Sequence, residues 1–395
     1  MAPHPLDGGQ ARDRRARIAI GAVFLTNGAI FANLLPRLPE VKTDLGLSNA
    51  MLGGAVASFS AGALTAGPAA AALIRRFQSA RVNLATTLIL AVLILAAAAA
   101  PSAVTLAAAL FVAGAADAIT DVAQNVNALR LQRQYGRSII NSLHAVWAVG
   151  AMLGGLMAAG AIAVHLPRTL HLGLSAVLFG VVAAAAYPFL LHGPDHDDHP
   201  TRDGSGISAG AAVYLVLLAL IGIAIAGATV EDAGSSWSTL YLRDSLGASG
   251  SVAAFGYIAL VGSMCIGRLV GDRLVDRFGE RAVVRTGGVI TAAGMAAALA
   301  FPSVPGTIAG FAAAGLGVAT AVPAAMRAAD ELPGLRAGTG LTILTWLMRV
   351  GFLGAPLLVG VVADAAGLRV GLLIVMVAGL SLLALGRVLA GKARR

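Results

Sequence analysis

The chain carries very little charge for its length. Of its 395 residues, 12% are Asp, Glu, Lys or Arg, whereas a soluble domain carries about 25%. There is one cysteine, Cys265, which excludes an intrachain disulfide and any cysteine-built metal centre. It stands in an apolar run, where a small buried hydrophobe is the expected role. Aromatic residues amount to 5%. That weighs against a large greasy drug pocket, because ligand pockets usually have aromatic walls. A membrane-embedded enzyme needs a nucleophile–base or metal constellation, but no HExxH and no paired His ligands stand in the apolar runs. Neither a catalytic residue, a resident metal nor a cofactor is therefore expected.

What is present is hydrophobic. Apolar residues make up 58% of the chain and mean hydropathy is +0.83. Apolar runs fall near 18–41, 49–74, 82–100, 103–129, 138–164, 169–191, 210–241, 250–272, 283–301, 306–328, 337–363 and 370–390. A helix of about 20 apolar residues matches the hydrocarbon thickness of a bilayer. The reading is an all-α, polytopic membrane protein with twelve transmembrane helices. The first run is too long for a signal-peptide core and is kept as a membrane helix.

A pI near 10.7 would suit a nucleic-acid partner, but the cations are distributed by side of the membrane. Twenty-two of the 28 Lys and Arg residues fall in the termini and the even connectors, against five in the odd ones (Arg37, Lys42, Arg168, Arg243 and Arg369). This is the positive-inside bias and predicts two cytoplasmic termini. No nucleic-acid partner is expected, since twelve spans leave no domain to carry a basic reading surface.

The longest polar stretch, 192–209, divides the chain into an N-terminal tail (1–17), a six-helix bundle (18–191), a cytoplasmic linker, a second six-helix bundle (210–390) and a short tail (391–395). The linker holds His192, His196 and His199 among several Asp residues, a metal-capable composition. Gly, Pro and Ser surround them, so a solvated linker is expected. The halves echo each other. Asp44-Leu-Gly-Leu-Ser48 recurs as Ser245-Leu-Gly-Ala-Ser249, and Leu73-Ile-Arg-Arg-Phe77 as Leu274-Val-Asp-Arg-Phe278, both at an offset of 201. Two matches in one register point to an internal repeat.

Charged residues within lipid-spanning helices are costly and usually face a bundle interior or a wet cavity. The fourth helix places Asp117, Asp121 and Asn125 at i, i+4 and i+8, on one face. Two carboxylates one turn apart repel when both are ionised, which favours holding a proton between them. The competing reading is a hydrogen-bonded helix contact that moves no proton. On the seventh helix, Glu231 and Asp232 lie about 100° apart, and Glu231 is the better candidate for the cavity. Gly227, Gly234, Ser235, Ser236 and Trp237 suggest a loosened outer end there. The first helix offers Asn27, Asn33 and Arg37, with Pro36 and Pro39 at its outer end. Arg37 either snorkels or faces an anion. Trp346 and Arg349 stand on the eleventh helix. Arg349 needs a counter-charge from Asp117, Asp121, Glu231 or an anionic solute. His144 and Trp147 lie on the fifth helix, where His144 is a candidate proton carrier or a structural hydrogen-bonder.

Gly271-Asp-Arg-Leu-Val-Asp-Arg-Phe-Gly-Glu-Arg281 resembles the cytoplasmic loop signature of the major facilitator superfamily, with Asp276, Arg277, Gly279 and Arg281 at the matching positions. The equivalent first-half loop, Arg75 to Arg81, keeps Arg76 and Arg81 but has Arg75 where the acid belongs and Gln78 where the Gly belongs. A narrower resemblance, to the YbjJ-like branch related in pattern to fucose–proton symporters, lies in Leu35-Pro-Arg-Leu-Pro39, Asp121-Val-Ala-Gln-Asn125, Asn141-Ser-Leu-His144 and Val350-Gly-Phe-Leu-Gly-Ala-Pro356. Ser236 and Gln132 depart from that branch, which tends to have acids at both places.

The resemblance implies the major facilitator fold: two pseudo-symmetric six-helix bundles around a cavity lined by helices one, four, seven and ten. It implies a secondary carrier in the bacterial inner membrane, working by alternating access. The expected cargo is a small polar organic solute moved with protons, with drug or metabolite efflux as the alternative. Expected partners are that solute, protons and surrounding lipid, and a monomer is expected. Asn27, Asn33, Arg37, Asn125, Glu231, Trp237, Trp346 and Arg349 are the cavity candidates. Asp117, Asp121, Glu231 and His144 are the proton-coupling candidates. Asp272, Arg273, Asp276, Arg277, Gly279, Arg281 and Arg76 are the candidate cytoplasmic gate. A non-transporting sensor is the remaining alternative, although the tail after Leu389 is only a few basic residues.

Overall fold

The structure is a computed structural model describing residues 6–135, 139–193, 211–333, 335 and 339–391. Arg137, Arg336, most of the 192–209 linker with His196 and His199, and the last four residues lie outside the described residues. Among the described residues, twelve helical segments are long and apolar enough to cross a membrane. They are span 1 (Arg12–Asp44), span 2 (Asn49–Gly67), span 3 (Ser79–Ala98), span 4 (Ala103–Tyr135), span 5 (Ser142–Ala163) and span 6 (Arg168–Phe189). The second set is span 7 (Ala212–Ser245), span 8 (Gly250–Phe278), span 9 (Glu280–Ala300), span 10 (Val304–Asp330), span 11 (Thr339–Ala366) and span 12 (Leu368–Val388).

Irregular turns sit where local chemistry demands them. In span 1 a one-turn 3₁₀ segment, Leu35–Arg37, contains Pro36, and the helix resumes at Leu38–Asp44 with Pro39 in its first turn, because a ring nitrogen cannot donate to the preceding turn. Span 10 breaks between Val318 and Ala321, two residues before Pro323. Span 7 does not loosen at Gly227 or Gly234. Its α-helix runs unbroken to Leu240 and only then opens into a π-helical turn, Tyr241–Ser245. Those two glycines instead admit Val322 and Leu260 side chains against the backbone.

The offset of 201 holds well beyond the two sequence matches. Gly46 and Gly247 both adopt positive φ, 60° and 67°. Gln78 and Gly279 both do so again, at 72° and 83°, each immediately before a helix that begins at Ser79 or Glu280. Ser102 accepts from the Thr105 N–H, and Ser303 from the Gly306 N–H. Arg168 Nε donates to the Ala98 carbonyl at 2.7 Å, and Arg369 Nε to the Leu299 carbonyl at 2.6 Å. Each of these arginines fixes the end of one span to the start of another.

Two compact units emerge, Met1–Arg37 with Ser58–Asp198, and Leu38–Ala57 with His199–Arg395. In the first unit, span 1 packs on span 5, and span 3 on spans 4 and 6. In the second, span 7 packs on span 11, and span 9 on spans 10 and 12, the same pairings six spans later. Close approach depends on small residues, as helix contacts in lipid generally do. A Cβ at Gly62 would collide with the Phe111 carbonyl, and one at Gly114 with that of Phe59. The start of span 2 belongs to the second unit, where Asp364 of span 11 accepts the backbone N–H groups of Asn49 and Ala50, each at 2.8 Å. That carboxylate caps a helix whose first N–H groups have no intrahelical partner.

Candidate functional site

The first unit carries a continuous polar chain across spans 1, 4 and 5. Asn27 Nδ2 donates to Asp117 Oδ1 at 2.7 Å. Asn27 Oδ1 accepts from Trp147 Nε1 at 3.0 Å and from Gln124 Nε2 at 3.3 Å. Gln124 Nε2 also donates to Asp121 Oδ1 at 3.2 Å, and Asn125 Nδ2 donates to the same oxygen at 3.0 Å. The i, i+4, i+8 spacing is thus joined into one network through Asn27 and Gln124, both buried. Asp121 is exposed at the surface of its unit, and Asp117 is half-buried.

Gln124 stands in the Asp121-Val-Ala-Gln-Asn125 motif but is not one of the site candidates, and Trp147 enters the sequence reading only beside His144. Gln124 lies three residues after Asp121 and so shares its face, a signal available from spacing alone. Nothing local marks Trp147 as a partner for span 1. His144 lies one turn before Trp147, is exposed, and meets the Phe24 ring edge-on at 5.4 Å.

The other span 1 candidates each make a hydrogen bond to a backbone carbonyl. Asn33 is buried and donates to the Ala29 carbonyl. Arg37, 3% exposed, donates to the Leu166 carbonyl at 2.9 Å. Its guanidinium fastens the end of span 1 to the turn between spans 5 and 6.

In the second unit, Glu231 faces Arg268 of span 8 at 3.5 Å. Arg268, counted from sequence among the connector cations, lies inside a span. Asp232 has a buried Oδ2, and Trp237 Nε1, Ser238 Oγ and Thr239 Oγ1 are buried too. Among the described residues these four atoms have no hydrogen-bond partner. Trp346 is 60% exposed. Arg349 is half-buried, and among the described residues no carboxylate stands within ion-pair distance of it.

The loop candidates lie at the Arg-rich end. Asp272, Arg273, Asp276, Arg277, Arg281 and Arg76 are exposed. Arg76 covers Phe77 and Arg277 covers Phe278, each at 5.4 Å from the ring centre. Arg281 donates to the Leu389 carbonyl. Among the described residues, the ion pair at this end of the second unit is between Glu280 and Arg327 at 3.0 Å, two residues that sequence reasoning did not select. No group of three metal-ligating side chains occurs among the described residues.

The repeat separates scaffold from specialised chemistry. At the offset that pairs Ser102 with Ser303 and Arg168 with Arg369, Asp117 and Asp121 correspond to Val318 and Val322. The anchoring contacts are duplicated and the acid network is not. A twofold-repeated helical membrane protein with a polar network in one unit has the architecture of a membrane carrier.

The comparisons give the family. The family model of the Major Facilitator Superfamily matches residues 20–275 and 219–394, and the chain belongs to that superfamily. The chain is 30% identical over 363 residues to the membrane protein MosC of Rhizobium meliloti, covering 91% of this chain and 87% of the relative. It is 32% identical over 359 residues to the uncharacterized transporter y4wD of Sinorhizobium fredii (strain NBRC 101917 / NGR234), covering 89% and 92%. The crystal structure of a mutant form of the nucleoside transporter NupG superposes with a TM-score of 0.77 at 10% identity, covering 94% of this chain and 98% of that one. That likeness shows the fold. The chain is a multi-pass membrane transporter, not an enzyme.

Proposed function

We propose that this transporter is a proton-coupled secondary carrier for a small polar organic solute, working by alternating access in a bacterial inner membrane with both termini in the cytoplasm. The observation that carries the reading is the hydrogen-bonded path from Asp117 through Asn27 and Gln124 to Asp121. The positive-inside bias supports the sidedness.

The chemistry of the path supports proton linkage. An ionised carboxylate only accepts hydrogen bonds, whereas a protonated one must also donate. Asn27 and Gln124 both present N–H groups to the acids, an arrangement suited to the ionised form. Gln124 Oε1 is buried without a hydrogen-bond partner among the described residues. Protonating Asp121 would favour turning the amide so that this oxygen accepts, and Asn27 would lose its contact with Gln124 Nε2. A proton would thus be felt at Asp117 through a rearranged amide. Linkage to cargo then requires one open state to bind the proton more tightly than the other.

The unpartnered polar atoms of Asp232, Trp237, Ser238 and Thr239 support a polar cargo, since buried polar groups without partners are rare unless a ligand or water serves them. Asp272, Arg273, Asp276, Arg277, Arg281 and Arg76 are proposed to pair with one another in the state that closes the cytoplasmic face.

The test is a thermal-shift screen of purified protein against nucleosides, sugars, amino acids and cationic drugs at two pH values. A polar solute that stabilises the protein in a pH-dependent manner supports the reading. Stabilisation only by apolar drugs, or by a solute equally at both pH values, contradicts it.

A further inference from the structure

A second polar feature lies away from the acid network. At the Arg-rich ends of spans 1 and 6, a cavity of about 410 Å³ is lined by Arg12, Arg15, Ala16, Pro188, Phe189 and His192, with Leu190 and Leu191. Arg12 and Arg15 are one turn apart and share a helix face. Among the described residues neither has a hydrogen-bond or ion-pair partner. Ile18, a further turn along, is 65% exposed, and Phe189 on the facing wall is 49% exposed. A row of cations therefore passes directly into an apolar, outward-facing flank.

The facing wall is fixed in place. Leu191 exchanges hydrogen bonds with the Asn127 side chain, at 2.9 and 3.2 Å. Arg130 donates to the carbonyls of Leu191, His192 and Gly193. The His192 ring meets Tyr187 edge-on at 4.9 Å. Arg130 is thereby committed to the backbone, while Arg12 and Arg15 are left facing the cavity.

We propose that this cavity binds the phosphate of an anionic glycerophospholipid. Arg12 and Arg15 hold phosphate oxygens through charge-assisted hydrogen bonds, His192 supplies a third N–H, and the acyl chains lie over Phe189 and Ile18. The shared chemistry is a phosphate anion. The adjoining apolar flank favours a lipid source over a free phosphate. Arg12 and Arg15 give the lining a net positive charge, which favours an anionic lipid over a zwitterionic one. Basic pockets between helices at this membrane boundary are suited to such headgroups.

The test uses full-length, delipidated protein in detergent, titrated with dioleoyl phosphatidylglycerol, dioleoyl phosphatidylcholine or glycerol 3-phosphate, with bound lipid read by native mass spectrometry. Phosphatidylglycerol should be retained in preference to phosphatidylcholine and should not be displaced by glycerol 3-phosphate. The pair Arg12→Ala and Arg15→Ala should weaken its retention about tenfold or more, given the typical contribution of each surface cation. If that variant does not elute as a single species, Arg12→Gln with Arg15→Gln replaces it under the same expectation. Equal retention of both lipids, or unchanged retention in the folded variant, overturns the proposal. Displacement by glycerol 3-phosphate overturns the lipid assignment in favour of a soluble phosphate. None of these readouts involves transport, so they stand apart from the proton-coupling proposal.

Discussion

Asn27 and Asp117, 90 residues apart in the chain, are joined by a hydrogen bond of 2.7 Å between spans 1 and 4. Asn27 is 4% exposed, and its remaining oxygen is occupied by Trp147 and Gln124. Replacing it with Ala removes the donor from a carboxylate and the acceptor from two N–H groups. Leaving a buried polar group unmatched costs roughly 1–3 kcal/mol, so Asn27→Ala should lower the thermal unfolding midpoint in detergent clearly. Asn27→Asp should be worse still, since it sets a second carboxylate against Asp117. A midpoint within about 1 °C of the parent in both variants would remove the network's structural role.

Gln78 adopts the positive φ that Gly279 adopts at the equivalent turn. A side chain in that region of backbone space costs of order 1–3 kcal/mol. Gln78 also uses its Oε1 to accept from the Gly193 N–H at 3.2 Å, which offsets part of the cost. Gln78→Gly relieves that strain and is expected to raise the unfolding midpoint, and Gly279→Gln to lower it. The pair of unfolding midpoints, one raised and one lowered, checks both.

Gly62 and Gly114 let spans 2 and 4 approach until backbone meets backbone. Gly67 has open space where its Cβ would stand. Gly62→Ala and Gly114→Ala should each cost about 1–3 kcal/mol through overpacking. Gly67→Ala should be neutral or mildly stabilising, because Ala is the better helix former. Loss of monodisperse, folded protein in the first two but not the third is the expected result.

Much of this architecture was legible from sequence. All twelve apolar runs overlap the spans, and the offset of 201 read from two short motifs also makes Arg168 equivalent to Arg369 and Ser102 to Ser303. Apolar length and turn chemistry are local, so the chain displays them. The acid triplet on span 4 was legible for the same reason, since a helix face follows from spacing. Gln124 and Trp147 became site residues only through Asn27 on another span. Arg268 stands within the run 250–272 but was grouped with the cations of the connector that follows it, and its pairing with Glu231 depends on packing. Span 7 was expected to have a loosened outer end, and an irregular turn does follow Leu240, but the glycines that suggested it are filled by neighbouring side chains and lie in unbroken helix.

Asp364 caps the start of span 2 by accepting two backbone N–H groups at once. Removing a cap costs typically about 1 kcal/mol and frees the first turn. Asp364→Ala should therefore speed amide hydrogen exchange at Asn49 and Ala50 while leaving span 4 unchanged, and Asp364→Asn should fall between. Unchanged exchange at those two amides would show that the cap contributes nothing to that turn.

The most direct test of proton linkage uses proteoliposomes loaded with a pH-sensitive dye and exposed to a gradient of the solute found by the thermal-shift screen. The parent protein should couple solute movement to a change in internal pH. Asp121→Asn should abolish that pH change while solute binding, measured separately, persists. Proton movement in Asp121→Asn equal to that of the parent would contradict the account, because the path from Asp117 to Asp121 would then carry nothing that transport requires.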